Sequence, residues 1–407
     1  MVATRAQSSA AAAAPASVRR ALQSEDVLAC VLSQLDVRDG CLRSVASVSK
    51  AWRSAWRRRC AGHCRLLRTG VGAFRHTSHV TALANGGGAI VPNYGGFQLE
   101  EFSPDGDSQT IYCEQFETPG AMALIGDGTA WVLSRDLGVI SRLRYREGVG
   151  AEPPLNRWPR SLPRESDEDD EYIPGDDLGR ISVLVDINAL LRPHGELHPH
   201  DLAVSGDRLL VLCGGRWNRR YARICVFDSE TGAFLYHIGR GLDAGEADAL
   251  IGPEALATHQ DLCFVADTYN HAIKVFNFRQ RELVRTMGST ANSPYEENVW
   301  PTDNLAFEDP RRSDLPCEFN EPVGVAFRDG RLYVSESGGR RIQILRFASG
   351  IQGAVECLQI IPSPNGLQLY GLCISGERLW CIGKMLTDDT SWLRNSYACL
   401  HLFTVCV

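Results

Sequence analysis

One phrase recurs along the chain: a hydrophobic strand, a tight Gly/Asp turn, then a second strand ending in valine or a similar residue. It reads GVAFRDGRLYV (324–334), DLAVSGDRLLV (201–211), AMALIGDGTAWV (121–132), ALATHQDLCFV (255–265) and GLCISGERLWC (371–381), with a degraded copy TALANGGGAIV (81–91). The copies end at 91, 132, 211, 265, 334 and 381, so successive spacings are 41, 79, 54, 69 and 47 residues. The two longest spacings hold insertions near 146–179 and 289–318. Without them each repeat is roughly 40–46 residues, the length of one four-stranded propeller blade. Six copies predict a mainly β fold, a six-bladed β-propeller over residues 65–405.

The last repeat offers strands near 370–375, 378–383 and 397–405 and lacks a fourth. Leu66-Leu67-Arg68-Thr69-Gly70 resembles Leu283-Val284-Arg285-Thr286-Met287-Gly288, the expected fourth strand of blade four. Residues 65–70 are therefore predicted to complete the last blade, closing the ring and removing an open sheet edge.

Residues 1–20 contain arginines, serines and an alanine run without an acid, and are expected to be a disordered leader. Residues 21–60 have helical spacing. Val27, Leu28, Val31, Leu32 and Leu35 form one apolar stripe, with Ser24 as N-cap and Glu25 and Asp26 in the first turn. Asp39 and Ser49 are placed to cap two further helices, the last carrying Trp52 and Trp56 on one face. Three helices in about 40 residues bury too little to stand alone and are expected to dock on something.

This stretch resembles the F-box. Leu22, Glu25-Asp26, Val27-Leu28, Val31-Leu32, Leu35, Asp39, Val48 and Trp52-Arg53 match the family pattern in order. Gln23 and Asp36 stand where prolines are usual, and Ser49 where cysteine is usual. The resemblance implies binding of a Skp1-type adaptor within a cullin–RING ubiquitin ligase, through Leu22, Val27, Leu28, Val31, Leu32, Leu35, Val48 and Trp52. A plain three-helix cap on the next domain is the alternative.

Two repeats, VADTYNHAIKVFNFRQRELVRTMGS (265–289) and VSESGGRRIQILRF (334–347), resemble the NHL repeat. Asn270-His271 match its triplet and Ala272 departs. Asp267 is expected to accept backbone N–H groups of the turn between second and third strands, and Asn270 tolerates positive φ. WD40 is the competing propeller family, but no Trp-Asp pair ends a strand here.

Charge is uneven. The total is −7, but residues 1–75 hold 13 basic and four acidic residues while 165–177 hold eight acids and no base. Net acidity belongs to one segment, expected to lie in an acidic disordered insertion, and does not exclude a basic face. Only Lys50, Lys274 and Lys384 are lysines; every other basic side chain is an arginine. The fourteen cysteines include no CxxC pair, and Cys60, His63 and Cys64 lack a second ligand pair. With no apolar run of 18 residues and no signal segment, the expectation is a reducing cytoplasmic or nuclear compartment with no membrane contact.

If first strands run from a top face to a bottom face, the turns joining second to third strands lie on the top. Those turns offer Tyr94, Arg135, Arg216, Trp217, Arg219, Arg220, Tyr269, Asn270, His271, Arg340, Arg341, Trp392 and Arg394. Arginine forks interleaved with aromatics suit an acidic or phosphorylated target protein. Single-stranded RNA is the rival ligand for such a surface. No P-loop, GxSxG, HExxH or GxGxxG occurs, and His198, His200, His259 and His271 are not expected to converge, so no catalytic residue, metal or cofactor is predicted. The sequence reading is the substrate-recognition subunit of a Skp1–cullin–F-box ligase; the alternative is a non-catalytic propeller scaffold or RNA-binding protein with a degenerate F-box.

Overall fold

The computed structural model describes residues 64–75, 77–83, 86–93, 98–112, 119–125, 129–135, 137–144, 181–191, 198–214, 222–239, 247–288, 313–384 and 397–405. The leader, the helical segment 21–60 and the acidic insertion lie outside them.

The described strands form six four-stranded blades. After β1 (Cys64–Arg75), blade one comprises β2 (Thr81–Ala82), β3 (Ala89–Asn93), β4 (Gln98–Phe102) and β5 (Ser108–Tyr112). Blade two is β6 (Pro119–Ile125), β7 (Thr129–Ser134), β8 (Val139–Arg144) and β9 (Ile181–Asp186), followed by the short helix α1 (Ile187–Leu191). Blade three is β10 (His198–Ser205), β11 (Arg208–Gly214), β12 (Arg223–Asp228) and β13 (Phe234–Ile238). Blade four is β14 (Ala255–His259), β15 (Leu262–Asp267), β16 (Ala272–Asn277) and β17 (Glu282–Gly288). Blade five is β18 (Pro322–Arg328), β19 (Arg331–Glu336), β20 (Arg341–Phe347) and β21 (Val355–Pro362). Blade six is β22 (Gln368–Ser375), β23 (Arg378–Lys384) and β24 (Tyr397–Val405), with β1 hydrogen-bonded beside β24 as its outer strand.

Turn chemistry sets the registers. Ser205 pairs Arg208, His259 pairs Leu262, Arg328 pairs Arg331 and Ser375 pairs Arg378, so each hairpin has a two-residue loop. In one of them Asp329 and Gly330 both have positive φ, +50° and +73°, which matches the right-handed twist of the flanking strands.

Second strands are apolar on both sides because each is sandwiched between neighbouring blades. Trp131, Leu133 and Ile140 pack on Leu209, Val211 and Phe227 of the next blade, and Phe264 and Val275 pack on Leu332 and Val334. Polar stitches cross the same seams. Trp131 Nε1 donates to Ser229 O at 2.9 Å, and Trp380, at the same repeat position, donates to Gly87 O at 2.9 Å. The ring closes between blades six and one, where Gly371 N donates to Ser78 O at 2.9 Å and Ser375 Oγ to Leu83 O at 2.6 Å.

A buried carboxylate ends the second strand of blades four and five. Asp267 accepts from Ile251 N at 2.6 Å and Asn270 Nδ2 at 2.6 Å, and pairs with Lys274 at 3.1 Å. Glu336 accepts from Asn320 N at 2.9 Å and pairs with Arg341 at 2.8 Å. Ile251 and Asn320 each lie four residues before the matching position of the next first strand, so both carboxylates pin the link entering their own blade. The expectation that Asp267 accepts N–H groups from the following turn is thus corrected: its backbone donor lies in the link, and the turn contributes the Asn270 side chain.

Candidate functional site

The six first strands line a central channel of ≈ 310 Å³ whose wall includes Thr81, Met122, Leu202, Leu256, Val325 and Leu372. Its top end is shaped by a repeated irregularity. The pairing of first and second strands slips between Pro119 and Ala121, Pro199 and Asp201, Pro322 and Gly324, and Leu369 and Leu372. Such bulges re-aim the residue they contain. Here they fall at Gly120, His200, Val323 and Tyr370, and Glu254 occupies the same repeat position in blade four.

The top ends of the second strands complete the mouth. Three residues beyond the repeat's closing valine or cysteine stand Arg135 in blade two and Lys384 in blade six, while Gly214 takes that place in blade three. A Cβ on Gly214 would lie 3.0 Å from His200 Nε2, so the glycine makes room for the imidazole. Arg135 Nη2 donates to His200 Nδ1 at 2.9 Å, and Glu254 Oε2 is 3.6 Å from the same nitrogen. His79 Nε2 lies 3.4 Å from Glu254 O and 3.8 Å from Asp201 Oδ1. Lys384 Nζ sits 3.8 Å above the Tyr370 ring, whose hydroxyl donates to Gln368 Oε1 at 3.2 Å. Tyr269, 41% exposed, packs over Gly252 beside Glu254.

Burial sorts the charges. It pushes the His79 imidazole down to about 3, assisted by Arg135, so the ring is neutral at neutral pH. Burial pushes the Asp201 carboxyl up to about 7 against two backbone N–H groups, from Leu202 at 2.8 Å and Leu256 at 2.9 Å. Burial also raises Glu254, but His200 and Arg135 outweigh it and hold the carboxyl at about 2. The Lys384 ammonium is brought down to about 8 by burial, with Glu254 opposing and Arg135 assisting. At neutral pH the mouth therefore holds Lys384 and Glu254 as ions, beside the Arg135 guanidinium. Its groups come from blades one, two, three, four and six.

Of the predicted top-face residues, Arg135 joins this mouth and Tyr269 rims it. Arg340 is exposed at φ +47°. Arg341 is corrected: it is buried at 6% exposure, paired with Glu336, and donates to the carbonyls of Ser313, Asp314, Leu315 and Glu318, so its fork is committed inside the fold. His271 is likewise buried, its Nδ1 accepting from Glu321 N at 3.0 Å, and Asn270 is held by Asp267 and Ala249 O. Tyr94, Arg216, Trp217, Arg219, Arg220, Trp392 and Arg394 lie outside the described residues, as do Leu22, Val27, Leu28, Val31, Leu32, Leu35, Val48 and Trp52. Sequence reading passed over His79, Glu254, Tyr370 and Lys384. Lys384 was legible: it shares Arg135's place in the repeat.

Among the described residues no group of three or more His, Cys, Asp or Glu side chains is arranged to hold a metal ion. His259 lies at the far end of β14, its ring 4.7 Å from that of Phe327.

Residues 24–62 match the F-box domain. The F-box domain therefore precedes a six-bladed propeller in one chain. No curated protein matches the sequence. Among solved structures, the chain is similar to a luciferin-regenerating enzyme at TM-score 0.51 and 10% identity, covering 82% of this chain and 92% of that one. It is also similar to a nidogen/laminin complex (TM-score 0.45, 13% identity, 73% and 84% covered) and to Kuenenia stuttgartiensis hydrazine synthase (0.45, 12%, 76% and 92%). At such identities the first likeness speaks to the fold alone and the other two carry no argument.

Proposed function

We propose that the chain is the substrate-recognition subunit of a Skp1–cullin–F-box ubiquitin ligase. The observation that carries this reading is the F-box domain at residues 24–62 joined to a propeller with a polar channel mouth. Leu22, Val27, Leu28, Val31, Leu32, Leu35, Val48 and Trp52 bind the Skp1-type adaptor, and the propeller's top face captures the target protein. The chain performs no chemistry; it raises the target's local concentration at the ligase's catalytic partner. The repeat is NHL-like, which the Asp267–Asn270 pairing supports. The described cysteines are all free thiols, as suits a cytoplasmic or nuclear protein.

Co-purification with a Skp1-type protein tests the reading. Capture should be lost when Leu28 and Leu32 are both changed to Asp, while the propeller's thermal melt is unchanged. If the unaltered chain captures no Skp1-type protein, a propeller scaffold or RNA-binding protein is the reading that replaces it.

A further inference from the structure

We propose that the channel mouth binds a single carboxylate group of a target peptide between Arg135 and Lys384. The inference rests on the substrate-recognition reading and names the chemistry that reading leaves open. Among the described residues, the Arg135 guanidinium hydrogen-bonds only to His200, and the Lys384 ammonium meets only the Tyr370 ring. Among the described residues neither forms an ion pair, although Arg341 of blade five and Lys274 of blade four, both buried, each have a carboxylate partner. A cation brought out of bulk water and left unpaired is costly unless something offsets it. Two such cations stand at one end of a channel, presented by the same repeat position in blades two and six.

Charge selects the ligand. Among the described residues, Glu254 is the ionised carboxylate that acts on both cations, so Arg135 and Lys384 together outnumber it by one. Asp201 turns both oxygens to backbone N–H groups and stands in the position after the mouth layer. A monoanionic carboxylate matches the remaining charge, whereas a phosphate dianion would meet Glu254 with a second negative charge. An arginine fork also offers two parallel donors to a planar carboxylate. Tyr370 and the partly exposed Tyr269 supply flat rims on which a peptide can lie.

The scarcity of lysine gives a direct probe. Reductive ¹³C-methylation of the full chain labels at most Lys50, Lys274, Lys384 and the N-terminal amine, and Lys384→Arg identifies the Lys384 signal by its loss. The labelled protein is titrated with Ac-Gly-Glu-Gly-amide, Ac-Gly-Gln-Gly-amide, Ac-Gly-Gly-Gly carrying a free carboxylate, inorganic phosphate and single-stranded oligouridine. The Lys384 signal should shift saturably with the glutamate peptide, the free C-terminus or both, which separates side-chain from terminal carboxylates. Arg135→Ala should weaken that binding about tenfold, measured at a temperature where the melt shows the variant still fully folded. Equal response to the glutamine peptide, preference for phosphate or oligouridine, or no saturable shift with either carboxylate would overturn the proposal. Capture of a Skp1-type protein by the same preparations reports the ligase reading separately. Peptide binding without capture leaves the site standing and removes the ligase role, and capture without peptide binding does the reverse.

Discussion

Arg135 donates from Nη2 to Nδ1 of His200 across 2.9 Å, tying the end of blade two's second strand to the bulge that opens blade three. Glu254, 3.6 Å from the same imidazole nitrogen, draws on that arrangement. Burial alone would raise its carboxyl, yet His200 and Arg135 hold it at about 2. A carboxyl depressed on folding contributes stability above its unfolded value near 4.5 and loses it as pH falls toward 2. Arg135→Ala should therefore melt lower than the parent at pH 6, with the gap closing between about pH 4.5 and pH 2. A gap independent of pH would mean that Arg135 contributes packing rather than charge.

Asp201 works in the opposite sense. Burial lifts its carboxyl to about 7 despite two N–H donors. A carboxyl raised on folding contributes stability that is complete below its unfolded value near 3.8 and is lost as pH rises through about 7. The parent's melting temperature should carry a falling component between pH 5 and pH 8. Asp201→Asn removes that titration, so its deficit relative to the parent should shrink over the same interval. An unchanged deficit from pH 5 to pH 8 would show that folded Asp201 is already ionised across that range, as it is in the unfolded chain.

The repeat made the blades legible because the second strand, apolar on both faces, ends in the same kind of residue each time. Packing between blades demands that pattern, so it survives where turns diverge. The site was less legible. Arg341 reads as a turn arginine, but it pairs in register with Glu336, and a carboxylate at the end of one strand facing an arginine at the start of the next was the available signal. Glu254 and Tyr370 stand immediately before Ala255 and Gly371, where the repeated phrase begins, so it does not include them. His79 precedes β2, a strand of only two residues, and no periodicity marks it.

The Asp267–Lys274 pair is fully enclosed, with exposures of 0% and 7% for the two side chains. Breaking a buried pair from one side strands the other charge and costs on the order of 3–5 kcal/mol. Asp267→Ala should cost that much, since it also releases the Ile251 N–H and the Asn270 amide. Changing Lys274 to Met in the same chain should return part of the loss by removing the stranded ammonium, even though the Ala249 carbonyl also loses its lysine donor. Chemical denaturation of the two variants against the parent measures both steps, and a double variant no more stable than Asp267→Ala would show that the backbone latch, not the ion pair, dominates.

Closure of blade six depends on β1. Phe74 is fully buried and meets Phe102 edge-on at 5.9 Å, Phe102 in turn lies 6.0 Å from Trp380, and Val71 packs in the same cluster. Thr69 Oγ1 meets His401 Nδ1 at 2.8 Å, linking β1 to β24. Phe74→Ala removes a ring from a close-packed layer and should cost about 3–5 kcal/mol. Removing residues 1–72 goes further, because it strips most of β1 from β24 and leaves the unpaired backbone groups of a long strand as a template for aggregation. Size-exclusion chromatography and a thermal melt of that fragment, beside a chain lacking only residues 1–20, measure the difference. The longer truncation should aggregate or melt far below the shorter one. Equal melts with both proteins monomeric would mean that the ring is held by its inner strands alone and that β1 is dispensable.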